Sequence, residues 1–205
     1  MCSINDLIKE LNKETEVYLK HIHDTTHQYK ALVSLRKNLS MNEVMLVCDF
    51  SENYNCKYSS EIQSVHFGAS LKQISLHTDA FFYKPSLNEE VKCVSFCSVS
   101  ENLRHDASAI WAHLTPIFNE IRKLVPRVTT IHYQSDGPTT QYRNKSNFWL
   151  FKTHNELLNL SYATWNFTTP GHGKSVADGI GGSVKGLCNR AVCQGISRSR
   201  CYFSY

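Results

Sequence analysis

The sequence predicts an α/β domain: a mixed five-stranded sheet with helices on both faces, preceded by one long helix. Three observations predict it. The first 37 residues keep a helical period, three strand-like runs then follow one another, and after them helical and strand patterns alternate. At 205 residues with 41% hydrophobic content, the chain has enough apolar surface for one well-buried domain. The division expected is a helical segment over 1–40 and an α/β domain over 41–205.

The elements follow in order. Ile4, Leu7, Ile8, Leu11, Tyr18, Leu19 and Ile22 recur at helical spacing with Lys and Glu between them, giving helix α1 over 3–37. Within it His23 and His27 stand four apart, a spacing that suits a metal but also an ordinary surface pair. "NEVMLVCDFSENY" (β1, 42–54) is an apolar run that ends in Asp49, the pattern of a central strand covered on both faces. "SSEIQSVHFGA" reads as a short helix or irregular insert. "KQISLHTDAFFYK" (β2, 72–84) alternates, "PSLNEE" is turn chemistry, and "VKCVSFCSVS" (β3, 91–100) completes an antiparallel meander.

Ile110, Trp111, Leu114, Ile117, Phe118, Ile121 and Leu124 make an apolar stripe, so helix α2 spans 106–124 and stops before Pro126. "VTTIHYQSD" is β4 and "TQYRNKSNFWLFKTHNELLNL" is helix α3. "SYATWNF" is β5, "TTPGHGKS" a loop, and "ADGIGGSVKGLCNRAVCQ" helix α4, weakened by its glycines. The crossover through α2 lays β4 parallel to β1, on the side away from β2.

That topology gives three acids a common address. Asp49 closes β1, Asp136 closes β4, and Asp178 opens α4. With neighbouring strands about 4.8 Å apart, the first two carboxylates can reach one ion. Ligands of α/β sheets also gather at the carboxyl ends of the strands. Each acid has an ordinary reading too: Asp136 in "SDGPT" as a turn former, Asp178 as a first-turn acid. Three carboxylates together repel one another and call for a cation. Hard oxygen donors suit Mg²⁺ or Mn²⁺, and a pair of such ions about 3.5–4 Å apart serves phosphoryl transfer.

Charge points to the partner. Residues 1–120 hold 11 Lys/Arg against 15 Asp/Glu, whereas residues 121–205 hold 11 against 3. A basic C-terminal half fits a polyanion. No apolar run has membrane-spanning length and the N-terminus is polar, so no membrane association or signal peptide is expected. The eight cysteines form no CxxC pair, and several lie in apolar runs. They read as reduced thiols of an intracellular protein, nuclear or cytoplasmic.

With these motifs assembled, the chain resembles the ribonuclease H-like superfamily over roughly residues 42–194. Within it the likeness is to catalytic domains of eukaryotic cut-and-paste transposases with a DDE/D triad. It is carried by "VCDFSENY", "QSDGPTTQYRNK" and "HGKSVADGIGG". The resemblance implies Asp49, Asp136 and Asp178 as catalytic metal ligands, two Mg²⁺ or Mn²⁺ ions, and cutting or joining of DNA at transposon ends or target sites. The third position is often Glu, so Asp178 is a departure with shorter reach.

The resemblance also suggests DNA contacts at Gln141, Arg143, Lys145, His172, Lys174 and Lys185. Glu52 and Asn53 would lie behind the metal ligands, with Asp106 either a helix cap or a fourth carboxylate. The chain has no recognisable zinc finger or helix-turn-helix, which leaves α1 as the end of a lost domain or a helix forming a homodimer. Two other activities fit parts of the pattern. One is a non-catalytic nucleic-acid-binding relic. The other is a ribonuclease H or 3′–5′ exonuclease, the latter disfavoured by the three-residue spacing of Asp49 and Glu52.

Overall fold

The computed structural model describes residues 3–57, 71–169 and 175–194. The "SSEIQSVHFGA" stretch, the tail from residue 195, and His172 and Lys174 lie outside the described residues. The elements are α1 (Ile4–Lys37), β1 (Glu43–Asn55), β2 (Gln73–Tyr83), β3 (Lys92–Ser100), α2 (Ala107–Leu124), β4 (Thr130–Ser135), α3 (Lys145–Leu157), β5 (Tyr162–Phe167) and α4 (Val176–Cys193). The sheet order is β3-β2-β1-β4-β5. The first three strands are antiparallel neighbours, and β4 runs parallel to both β1 and β5.

Strand alternation assigns the two faces of the sheet. Val44, Leu46 and Cys48 of β1 join Phe81, Ile131 and Tyr133 under α2, which contributes Ile110, Trp111, Leu114, Ile117, Phe118 and Ile121. Met45 and Val47 point the other way, into a smaller cluster with Leu39, Phe82 and Ala177 of α4, where Leu32 and Leu35 of α1 also pack. Each fully buried Leu, Ile or Phe stabilises the fold by about 1.5–3 kcal/mol, so the α2 face carries most of the stability. Helix α1 buries none of its residues completely, and Ile4, Leu7, Leu11, Val17 and Leu19 stay exposed. Its N-terminus is closed by a Ser3–Asp6 capping box.

Two boundaries differ from the sequence reading in ways that matter to the site. Strand β1 does not end at Asp49. It continues to Asn55, because β2 keeps pairing with it, Asp49 opposite Thr78, after β4 has stopped at the Val47–Gln134 pair. Helix α3 starts at Lys145 rather than Thr140. The Pro138 carbonyl accepts the backbone N–H groups of Gln141, Tyr142 and Arg143, making a tight turn. Asn144 then caps the helix through the Asn147 N–H, at 2.9 Å. Buried Asn147 holds this turn in place, accepting from the Trp111 indole at 2.8 Å and donating to the Tyr142 carbonyl at 2.7 Å.

Candidate carboxylate site at the end of the sheet

Asp49 stands two residues past Val47, and Asp136 two past Gln134, the partner of Val47 across the parallel pair. Equal parity puts both side chains on the α4 face of the sheet, just beyond the last hydrogen-bonded β1–β4 pair. The loop that carries Asp136 is anchored from behind. Ser135 Oγ donates to the Asp136 carbonyl at 2.7 Å and accepts from the Trp165 indole at 2.9 Å. The Thr168 N–H bonds the Ser135 carbonyl. On β1, Thr78 Oγ1 donates to the Asp49 carbonyl at 3.2 Å.

Helix α4 reaches this end of the sheet because of one glycine. A Cβ on Gly181 would lie 2.7 Å from Ser51 Oγ and 3.1 Å from Ser51 Cβ, so only hydrogen lets the helix lie that close to β1. Asp178, one turn earlier, is thereby held over the strand ends. The glycines that read as weakening this helix include the one that seats it. Tyr54 Oη donates to Asn189 Oδ1 at 3.0 Å and fixes the far half of the helix.

Electrostatics links the three acids. Burial pushes the Asp49 carboxyl up to about 7, helped by the charges of Asp136 and then Asp178, with His77 and the Phe50 N–H pulling the other way. Asp136 is also raised, by burial and then by Asp178. Asp136 Oδ1 is buried without a hydrogen-bond partner among the described residues, an arrangement that costs free energy unless something positive meets it. A small cleft of about 10 Å³ lies between Asp49 and Asp136, walled by Val47, Gln134, Ser135, Thr168 and Ser175. That is room for one water-sized body.

Asp178 is less committed to this cleft. It is exposed, and its Oδ2 accepts the Ser175 N–H at 2.7 Å, completing a capping box at the start of α4. Among the described residues no group of three or more His, Cys, Asp or Glu is arranged to hold a metal ion. The residues nonetheless fit a hard cation in their chemistry: two half-buried carboxylates on one face, a stranded oxygen, and a third acid one bond-exchange away.

The remaining residues divide. Arg143 lies over the Phe167 ring, 5.1 Å from its centroid, and Lys145 is the exposed first residue of α3, so both sit at the same end of the sheet. Gln141 is half-buried in the turn after Pro138, and Lys185 is half-buried two turns along α4 from Asp178. Asp106 caps α2, accepting the Ala109 N–H at 3.0 Å and pairing with Arg104. Glu52 is exposed at the irregularity between Ser51 and Tyr54, while Asn53 Oδ1 meets His105 Nε2 at 3.0 Å. Asn53 therefore serves a different cluster, in which His105 stacks on Phe50 and His113 stacks on His77. His77 in turn bonds buried Asp79 at 2.9 Å. The sequence reading passed over Gln134, Ser135 and Thr168, polar residues at the ends of β4 and β5 whose position beside the two acids was their one available signal.

The model of the family described as "Domain of unknown function (DUF8701)" matches residues 28–203. The chain belongs to that family. The DUF8701 match spans the whole sheet and helices α2, α3 and α4, and it begins within α1. No curated protein matches. Among solved structures, the Mos1 transposase paired-end complex with left transposon end aligns over 85% of this chain at 10% identity and a TM-score of 0.34. The chain spans 60% of that one. Likeness at that level decides neither fold nor activity. Among the described residues no helix is long and apolar enough to cross a membrane.

Proposed function

We propose that the chain is a ribonuclease H-like, DDE/D-type nuclease or strand transferase acting on DNA, with Asp49, Asp136 and Asp178 as its carboxylates. The observation that carries this reading is the pairing of Asp49 and Asp136. They stand on one face, on β1 and just past the end of the adjacent parallel β4, around a cleft in which one carboxyl is pushed up to about 7 and the other keeps a buried oxygen without a partner among the described residues. Strand order β3-β2-β1-β4-β5 supports the superfamily assignment, and the basic C-terminal half supports a polyanionic substrate.

Bound Mg²⁺ or Mn²⁺ would supply an activated water or 3′-hydroxyl and stabilise the leaving oxygen. The chain's own part is to hold the acceptor oxygens. Asp49 offers them from within β1 and Asp136 from just past the end of β4, and Asp178 from α4 once it releases the Ser175 N–H. Arg143 and Lys145, at the turn and N-terminus before α3, provide positive charge for the DNA backbone.

The test is metal-dependent cleavage of supercoiled plasmid and of labelled duplex by the purified chain, with Asp49→Asn and Asp136→Asn alongside. Cleavage in Mn²⁺ or Mg²⁺ by the wild type alone is the expected result. A second reading, a nucleic-acid-binding protein without turnover, is favoured by the Asp178 side chain being occupied in its capping box. Salt-sensitive DNA binding with no cleavage in either metal would select it.

A further inference from the structure

A larger hollow opens directly beside the carboxylate cleft. It measures about 330 Å³ and is lined by Thr25, Thr26, Gln28, Tyr29 and Leu32 of α1 on one side and Gln134, Thr168 and Thr169 on the other. Gln134 and Thr168 are walls of both spaces, so the two adjoin. The hollow exists because α1 is tied across the ends of β4 and β5. Gln28 Oε1 accepts from the Thr169 N–H at 2.9 Å and from Thr169 Oγ1 at 2.6 Å, a bond between residues 141 apart in sequence.

Its chemistry is selective. Tyr29, a residue 69% exposed, presents its aromatic ring, and Leu32 adds apolar surface. The Gln134 side-chain amide and the Gln28 amide nitrogen make no bond among the described residues. Thr25 Oγ1 is a buried hydroxyl with no partner there. Planar amides and a hydroxyl around an aromatic ring are the complement of a flat, hydrogen-bonding heterocycle. The volume lies at the lower end of the range for small-molecule pockets, enough for one nucleoside but not for a duplex. Among the described residues that line the hollow there is no Lys or Arg.

From this we infer that the hollow between α1 and the β4–β5 end receives a single unstacked nucleobase of the DNA strand whose phosphate lies at the carboxylates. The base stacks on Tyr29 and is read at its edge by Gln28 and Gln134. Helix α1 is then part of the substrate site. This rests on the DNA-directed function proposed above, and it names the part of the substrate that α1 holds.

The experiment uses the full chain and a single-stranded DNA oligonucleotide carrying 2-aminopurine at successive positions, with an abasic series as the counterpart. Binding is followed by anisotropy and by 2-aminopurine fluorescence. At one position the fluorophore should be quenched on binding. Tyr29→Ala should abolish that quenching and weaken binding about tenfold, within the range for loss of one base–aromatic stack. Tyr29→Phe should retain both. An abasic site at that position should weaken wild-type binding by at least the same factor and Tyr29→Ala binding by less, since the stack is already lost there and only the edge contacts remain to lose.

Equal binding of abasic and intact strands by the wild type would overturn the base pocket. If metal-dependent cleavage persisted, the carboxylate assignment would stand. Absence of both binding and cleavage would remove the two together. Quenching confined to an RNA oligonucleotide of the same sequence would overturn DNA as the occupant. Exposed Tyr29 contributes little to the core, so its variants fold, and an unchanged melting temperature verifies this.

Discussion

Replacing Asp49 with Asn should make the metal-free protein more stable, and the size of the gain measures what burial, and after it the charges of Asp136 and Asp178, cost the ionised carboxylate. The Asp49 carboxyl rises from an ordinary value of 3.8 to about 7 on folding. At about 1.4 kcal/mol per pKa unit this would correspond to about 4 kcal/mol. Because the side chain is only half-buried, solvent screening brings the expected figure down to about 2 kcal/mol. The sign follows from linkage. A raised folded-state pKa leaves stability intact below pH about 4, where both folded and unfolded forms are neutral. Stability is then lost as pH climbs to about 7, where the folded carboxyl must ionise among its neighbours.

In EDTA at pH 8, urea unfolding of Asp49→Asn should therefore show about 2 kcal/mol more stability than wild type, and at pH 4 little difference. For a chain of this size that is a rise of about 4–8 °C in melting temperature. Adding Mn²⁺ or Mg²⁺ should reverse the ranking. The wild type gains about 2.7 kcal/mol at a hundredfold excess over its dissociation constant, and the variant gains almost nothing. An Asp49→Asn protein that is equally or less stable than wild type at pH 8 in EDTA would refute the view that burial and the neighbouring acids penalise the ionised Asp49 carboxylate. That result would take the reason for a cation with it.

Three further outcomes are expected. Gly181→Ala should lower the melting temperature and abolish metal-dependent stabilisation, because its methyl meets Ser51. Gly182→Ala, with nothing within 4 Å, should instead raise stability by about 0.5–1 kcal/mol through helix propensity. Acid should destabilise the other face of the sheet. Burial, with His77 and His105 nearby, holds His113 down to about 4, so its contribution is complete above pH about 6.5 and lost as pH falls toward 4. His113→Gln should flatten that limb of the unfolding-midpoint profile. Arg143→Ala should weaken DNA binding without regard to sequence and reduce the slope of log affinity against log salt by about one, read from anisotropy across a KCl series.

Much of the architecture is legible in the sequence. The apolar stripe from Ile110 to Ile121 became the buried face of α2, and the right-handed crossover rule placed β4 on the free side of β1. Errors clustered where a side chain or a partner strand overrides local pattern. Asp49 looked like a strand end because its neighbours turn polar, yet β2 continues to pair with β1 as far as Asn55. The helical pattern from Thr140 hid a turn organised by the Pro138 carbonyl and by Asn147, which answers to Trp111 on another helix.

By itself the sequence determined the elements, their order, and the parity that turns Asp49 and Asp136 to one face. Those depend on periodicity and chain handedness, which act over a few residues at a time. Only the tertiary structure decided how near α4 comes to β1, where the methyl-free surface of Gly181 sets the distance. Likewise, only it showed that Asp178 is engaged by Ser175 and that α1 folds back to bond Thr169 through Gln28. Such contacts depend on packing between segments far apart in the chain, and no local pattern carries them.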